Sequence, residues 1–437
     1  MSEKTKIIRP APVSGFPEWL PAMRRAEQQW QDTARRVFER YGFCSIETPS
    51  VEALEVIAAK GVVDKEIYVL NRLQADEDDK NEARLALHFD QTVPLARYVA
   101  QHFNDLVFPF KRYQMQRVWR GDRPQDGRFR EFYQYDVDVI AVDNLPLHFD
   151  AEMPLIIYDL LRELGIEGVR LHISNRKILQ GFMAGIGIAD AAPVVRILDK
   201  LDKVSAKGVG ELLAQGGLVN AAQIEKCLGL AAIQESDSAE LQNKIAILNV
   251  KNDMLNEGIQ ELSFVLDYLK GLPSSAVIAD CSIARGLDYY TGTVYEGRFI
   301  DDPGFGSVVA GGRYDDLASS YIHKKLPGVG ISLGATRLFS KLLKDGKLSV
   351  LAPSPTQVLV ILPSEELRAE AQGVAQKLRA RGMNAEVYHA PQKYDRQLAY
   401  ANKKQIPYVW FPDNGTVKNM ATGEQMDADA QNWMQPA

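Results

Sequence analysis

Between Phe110 and Ala141 the chain reads FKRYQMQRVWRGDRPQDGRFREFYQYDVDVIA, with polar residues at alternate positions. In a strand, side chains of one parity lie on one face. Gln114, Gln116 and Arg120 then share a face of the first run, and Arg130, Phe132, Gln134, Asp136 and Asp138 share a face of the second. The charged stretch between the runs carries Gly and Pro and reads as the loop of an antiparallel hairpin. Folded so, the pair gathers arginines, amides and two carboxylates beside one aromatic ring. A ligand with a phosphate, an amine and a flat ring would find a partner for each part. An amphipathic hairpin with a salt-bridged outer surface fits the same alternation.

Four further stretches could serve the same chemistry. Asp90, Gln91 and Thr92 stand where the strand RLALHF gives way to the helix TVPLARYVAQHF, with Pro94 tolerable in its first turn. A carboxylate there can cap the helix or meet a ligand. In ARGLDYYTGTVYEGRF, Arg285 closes a strand and Tyr289 and Tyr290 follow in a turn, a pair that packing alone would also explain. Gly311 and Gly312, in VAGGRYDDL, allow another chain or a ligand to approach the backbone closely. GVGISLGATRLF reads as strand, glycine turn and helix start, with Arg337 one turn in.

The elements that must position these groups are legible from periodicity. Pro17 to Tyr41 carries apolar residues at three- and four-residue steps, which predicts a helix ended by Gly42 and followed by the strand FCSIETP. DAEMPLIIYDLLRELG predicts another helix and VRLHIS a strand. Gly185-Ile-Gly187 lacks the third glycine and preceding strand of a dinucleotide fingerprint and reads as a helix end. Asp190 to Leu272 is helical throughout, with no catalytic signature. After the linker KLLKDGKLSVLAPSP, strands and helices alternate as in a small α/β domain with a largely parallel sheet.

A chain of 437 residues has room for two or three domains with real cores. Its net charge of −6 does not favour a general nucleic-acid binder, although a local basic groove is compatible with it. Cys44, Cys227 and Cys281 form no CxxC pair, so neither a disulfide framework nor zinc is expected. No run is long enough to span a membrane and the first residues lack a signal-peptide core, so a cytoplasmic protein is expected.

Taken in order, these strings resemble those of the class II aminoacyl-tRNA synthetases, specifically the histidyl-tRNA synthetases. VWRGDRPQDGRFREFYQ is similar to the family's motif 2, and RGLDYYTGTVYE and VAGGRYDDL to its two histidine signatures. The first helix, its strand and Pro49 resemble motif 1, and GVGISLGATRLF resembles motif 3. LHFDQTVPLARYVA is similar to an LRYDLTVP-type segment, with His88 where Arg is common and Gln91 where Leu is common. Thr336 stands where motif 3 commonly has Glu. The resemblance spans nearly the whole chain, and the helical stretch is its least specific part.

The resemblance implies an α+β fold: an antiparallel catalytic sheet flanked by helices in two parts, residues 1–174 and 276–350. A mostly helical insertion would fill 175–275, and an anticodon-binding α/β domain would occupy 355–437. It implies a histidine–tRNA ligase using ATP, with Mg2+ on the phosphates, tRNA(His) as partner and a homodimer built on motif 1. Arg120 and Arg285 would flank the α-phosphate, Arg128 would meet the outer phosphates, and Phe132 with Arg337 would sandwich adenine. Asp90 and Gln134 would hold the amino group of histidine, with Gln91 and Thr92 in the same histidine-binding segment. Asp138, Tyr289 and Tyr290 would line its imidazole, and Arg123 and Gln125 would meet the tRNA acceptor end. A non-catalytic relative, such as the regulatory subunit of ATP phosphoribosyltransferase, is the alternative. Such paralogues typically lack the C-terminal domain, the arginines and the signature tyrosines that this chain retains.

Overall fold

A computed structural model describes residues 9–58, 67–72, 84–202, 204–284, 290–316 and 318–435. They form two compact units. One comprises Trp30–Lys347 with the described residues before Glu18, and the other comprises Glu18–Gln29 with the chain from Leu348 onward. Helix α1 (Pro21–Arg40) buries Ala26, Trp30, Ala34 and Val37 of the stripe its spacing predicts, with Phe38 beside them. Its first turns, residues 18–29, group by contact with the chain from Leu348 onward. Arg25 there donates from Nη1 to the carbonyl oxygens of Ala352 and Ser354, the latter at 2.7 Å. Periodicity shows that a helix has a face to cover, not which segment covers it.

In the first unit, strand β1 (Cys44–Ser45) is shorter than FCSIETP suggests. Strands β2 (Val51–Ala53), β3 (Val69–Leu70) and β4 (Leu85–Leu87) make a small separate sheet beside helix α2 (Leu54–Ala58). Helix α3 (Thr92–Gln101) comes next, and then the long hairpin of β5 (Phe110–Trp119) and β6 (Glu131–Ile140). Helix α4 (His148–Glu163) and β7 (Val169–Asn175) lead into a helical stretch: α5 (Arg176–Gly185), α6 (Ala191–Leu198), α7 (Ala206–Gln215), α8 (Ala221–Ala231), the short β8 (Gln234–Glu235), α9 (Ser238–Ile247) and α10 (Asp253–Tyr268). Each of α5 to α10 opens on an Asn, Asp or Ser whose side chain accepts a backbone N–H of the first turn. Such caps stabilise a helix end by about 1 kcal/mol each.

The sheet resumes with β9 (Val277–Asp280), β10 (Thr293–Phe299), β11 (Val309–Tyr314) and β12 (Gly328–Leu333), and α11 (Ala335–Lys344) closes the unit. Among the described residues the large sheet runs β1-β5-β6-β12-β11-β10-β7-β9-β8. Its centre is antiparallel throughout, with parallel pairs only at β1–β5 and β7–β9. Helix α3 lays Leu95, Ala96 and Val99 on Phe110 and Ile140, which face each other across the hairpin. That contact fixes the N-terminus of α3 against the sheet.

The second unit has strands β13 (Val358–Val360), β14 (Ala385–Val387), β15 (Tyr408–Phe411), β16 (Thr416–Asn419) and β17 (Gln425–Asp427), with helices α12 (Arg368–Ala380) and α13 (Tyr394–Lys404). Its order is β14-β13-β15-β16-β17. The first three strands are parallel, as expected, but β15, β16 and β17 are successive antiparallel neighbours. Tight turns at Gly415 and Gly423, both at positive φ, return the chain on itself where a parallel sheet would need a crossover. Trp410, almost fully buried, meets Trp433 edge-on at 5.8 Å in the core.

Candidate active site

The hairpin register puts the alternating residues opposite one another: Gln116 faces Gln134, Gln114 faces Asp136, and Arg112 faces Asp138. Two cavities open along this part of the sheet. The larger, of about 230 Å³, is lined by Arg120, Arg128, Phe132, Gln134, Ser332 and Arg337 among others. The smaller, about 30 Å³, is lined by Thr92, Asp136, Asp138, Tyr290, Tyr314 and the glycines Gly311, Gly312 and Gly330, among others. Ala310 and Ser332 belong to both, so the cavities share a wall.

The larger cavity is cationic and aromatic. Arg120 stacks its guanidinium 5.2 Å from the centre of the Phe132 ring and donates from Nε to the carbonyl of Phe89 at 3.0 Å. Arg128 is half-exposed, its Nε 4.0 Å from a carboxylate oxygen of Asp122. Arg337 projects from the first turn of α11; its guanidinium lies 4.6 Å over the ring of Phe305, whose carbonyl oxygen accepts from Nη2. Phe132 and Arg337 therefore line one cavity, and Arg337 has an aromatic neighbour that sequence reading missed. Thr336 also acquires a part. Strand β12 ends at Leu333 opposite Tyr135, and the Tyr133 N–H, one ladder step further, donates to Thr336 Oγ1 at 2.9 Å. The hydroxyl takes the place of the missing strand partner.

The smaller cavity is acidic. Asp138 is buried, with Oδ2 2.6 Å from Arg112 Nη2 and Oδ1 accepting from the Tyr314 hydroxyl at 3.1 Å. Burial raises its carboxyl above the ordinary range, against the pull of Arg112. Asp136 accepts from Ser332 Oγ, and burial lifts it to about 7 although Arg112 and that hydroxyl act in the opposite sense. Tyr290 is pushed above its usual value, first by burial and then by the neighbouring carboxylates Asp138, Asp136 and Asp90. Glycine is required here for space: a Cβ on Gly330 would lie 2.0 Å from Asp138 Oδ1, and one on Gly312 would lie 2.7 Å from the Tyr290 ring. Gln134 bridges the two regions. Its Nε2 donates to Ser332 Oγ at 2.9 Å, and its Oε1 is buried with no partner among the described residues.

Other expected residues fall into place differently. Asp90 accepts the Val93 N–H at 3.1 Å, so it does cap α3, while Thr92 lines the acidic cavity. Gln91 is fully buried; its Nε2 donates to the carbonyls of Gln116 at 3.0 Å and Gln134 at 3.1 Å. It braces α3 against both hairpin strands, and its Oε1 is buried with no partner among the described residues. His88 is likewise interior, with Nε2 2.7 Å from the Arg117 carbonyl, the ring 5.4 Å from Trp119, and its pKa lowered by burial. Arg123 and Gln125 are exposed in the hairpin loop, where Gln125 and Arg128 exchange backbone bonds around the tip. Arg285 and Tyr289 lie outside the described residues.

Tyr314, Arg112 and Ser332 complete the acidic pocket and were not singled out from sequence. Arg112 shares parity with Gln114 and Gln116, so alternation could have found it. Tyr314 lies inside VAGGRYDDL, whereas nothing local marks Ser332. The neighbouring arginine of that string, Arg313, instead pairs with the buried Asp150 of α4 at 2.5 Å. Among the described residues no group of three or more His, Cys, Asp or Glu side chains is placed to hold a metal ion. No described helix is long and apolar enough to cross a membrane.

The family model for histidyl-tRNA synthetase matches residues 15–338, and that for an anticodon binding domain matches 357–434. A histidine–tRNA ligase of Thermobifida fusca is 57% identical, covering 99% of this chain and 100% of the relative. One from Bifidobacterium animalis subsp. lactis is 44% identical over 98% and 96% of the respective chains. The crystal structure of histidyl-tRNA synthetase from Nostoc sp. PCC 7120 superposes with a TM-score of 0.87 at 38% identity, covering 96% of this chain and 97% of that one. A Bacillus halodurans structure described as an ATP phosphoribosyltransferase regulatory subunit/histidyl-tRNA synthetase shares the fold, with a TM-score of 0.76 at 22% identity over 93% and 99%. With two adjoining cavities on an antiparallel sheet and likeness along its whole length, this chain belongs to the histidyl-tRNA synthetase family.

Proposed function

We propose that the paired cavities are the adenylation site of a histidine–tRNA ligase, with ATP in the larger and histidine in the smaller. The observation that carries this reading is the shared wall at Ala310 and Ser332, which puts a cationic, aromatic cavity beside an acidic one. A bound histidine carboxylate would then point from the acidic cavity toward the α-phosphate.

That carboxylate is already ionised, so its attack needs no general base. A C–O–P linkage forms, the bond from the α-phosphorus to the bridging oxygen breaks, and pyrophosphate leaves with the electron pair. The site has to supply in-line placement and positive charge for the phosphoryl oxygens. Arg120 would hold the α-phosphate through its planar fork, with Arg285 opposite. Arg128 would meet the outer phosphates, and Phe132 and Arg337 the adenine. Magnesium would arrive on the triphosphate, since it takes most of its ligands from phosphate and water.

The orphaned Gln134 Oε1 supports an amino-group contact, because a buried acceptor without a donor is costly until a ligand supplies one. Asp90 and Thr92 would flank that amino group. Asp138, Tyr290 and Tyr289 would bond the imidazole, leaving an apolar rival with unpaired polar walls. In the second step the histidyl group moves to the 3′ end of tRNA, with Arg123 and Gln125 meeting the acceptor end and the C-terminal unit reading the anticodon. A cytoplasmic homodimer paired through α1 and β1 completes the reading.

The test is amino-acid-dependent exchange of labelled pyrophosphate into ATP. Exchange is expected with histidine alone, and Arg120→Ala should lower its rate by about 10² to 10³. A folded, histidine-binding protein that supports no exchange would overturn the reading.

A further inference from the structure

We propose that Phe305 is a positioning residue for ATP: it sets the plane of the Arg337 guanidinium and ties it to the tip of the β5–β6 loop. The proposal rests on the assignment of the larger cavity to ATP. Phe305 ends a single 3-10 turn, Pro303–Phe305, in the connection from β10 to β11. Its side chain and its backbone both engage Arg337. The ring lies under the guanidinium at 4.6 Å, and the carbonyl accepts from Nη2. A stacked face and an in-plane hydrogen bond together fix the tilt of a planar cation.

The turn itself is anchored on the same helix. Lys341, one turn beyond Arg337 on α11, places Nζ 2.8 Å from a carboxylate oxygen of Asp302 and 5.4 Å from the centre of the Phe305 ring. Phe299 meets that ring nearly edge-on at 6.1 Å. On another side the ring supports the hairpin loop: a Cβ built on Gly127 would stand 2.4 Å from its Cζ, so the loop can lie on the ring only because the residue there is glycine. Asp126, beside it, pairs with Lys344 of α11 at 2.5 Å.

One aromatic ring therefore joins the arginine of α11 to the tip of the loop whose Arg128 lines the same cavity. A guanidinium held in plane before adenine arrives has less freedom to lose on binding, which favours affinity without touching the reacting atoms. The effect belongs in the ATP KM, not in the chemical step.

Pyrophosphate exchange by the full-length protein tests this, with KM for ATP and for histidine measured separately in wild type and in Phe305→Ala, Phe305→Leu and Phe305→Tyr. Ala and Leu should each raise the ATP KM about fivefold, with kcat held within about twofold and the histidine KM unchanged, and Tyr should restore the wild-type value. Leu keeps bulk without a π face and so separates stacking from packing. An ATP KM unmoved in Ala or in Leu, or a histidine KM rising in step with it, overturns the proposal. Wild-type protein that binds histidine yet gives no exchange removes the ATP assignment itself, and this inference with it.

Discussion

Asp136 is a buried carboxyl group on the wall of the smaller cavity, and its titration follows from that position. Burial lifts it from the ordinary 3.8 to about 7. Between those values the folded chain keeps a proton that the unfolded chain has released. Stability is therefore greatest below the lower value and declines as pH rises toward the upper one. Asp136→Asn removes the decline. Its melting temperature should exceed that of wild type by about 2–4 °C at pH 8, with the difference closing toward pH 4. Thermal melts across that range check it, and a difference independent of pH would exclude the carboxyl as its cause. The residues that depart from the family's common pattern read differently at this scale. His88 and Gln91 are interior groups bonded to backbone carbonyls. Their types were legible in the sequence, but their burial was not.

At the scale of elements, the β5–β6 hairpin was the most legible part of the chain, because alternation over two ten-residue strands leaves a single parity for each face. The capped helices α5 to α10 were legible as helices for an equally local reason. The junction of β12 with α11 was not. The Tyr133 N–H finds its acceptor in Thr336, 203 residues away, because the strand that would have served it has turned into α11. Thr336→Val keeps the shape and removes the acceptor, leaving a backbone donor unsatisfied at a cost of about 1–3 kcal/mol. Since α11 carries Arg337, the ATP KM should rise as well. Urea denaturation followed by exchange kinetics measures both, and a Val variant as stable as wild type would mean that water satisfies that N–H.

At the scale of the whole molecule, the two units have separate cores. Trp410 is 1% exposed in the second, and Trp410→Ala should cost about 3–5 kcal/mol. The C-terminal unit matches an anticodon binding domain, so the expected consequence is selective: pyrophosphate exchange should persist while aminoacylation of tRNA falls. Running both assays on one preparation decides the matter, and loss of exchange in step with charging would show that the units are not energetically separable.

The sequence alone determined the chemistry on offer and the elements that carry it: arginines, amides and acids at strand parity, glycines beside them, and motifs in the order of one family. The faces and elements rest on short-range rules, since parity and helical period are properties of neighbouring residues, whereas the motifs rest on resemblance to the family. Tertiary structure decided the pairings. It set Tyr314 on Asp138 across 176 residues, joined Arg25 to Ser354 across 329, and laid Arg337 on Phe305 from a turn with no marked pattern. Such contacts depend on which faces meet after the chain has packed, and no local repeat encodes that meeting.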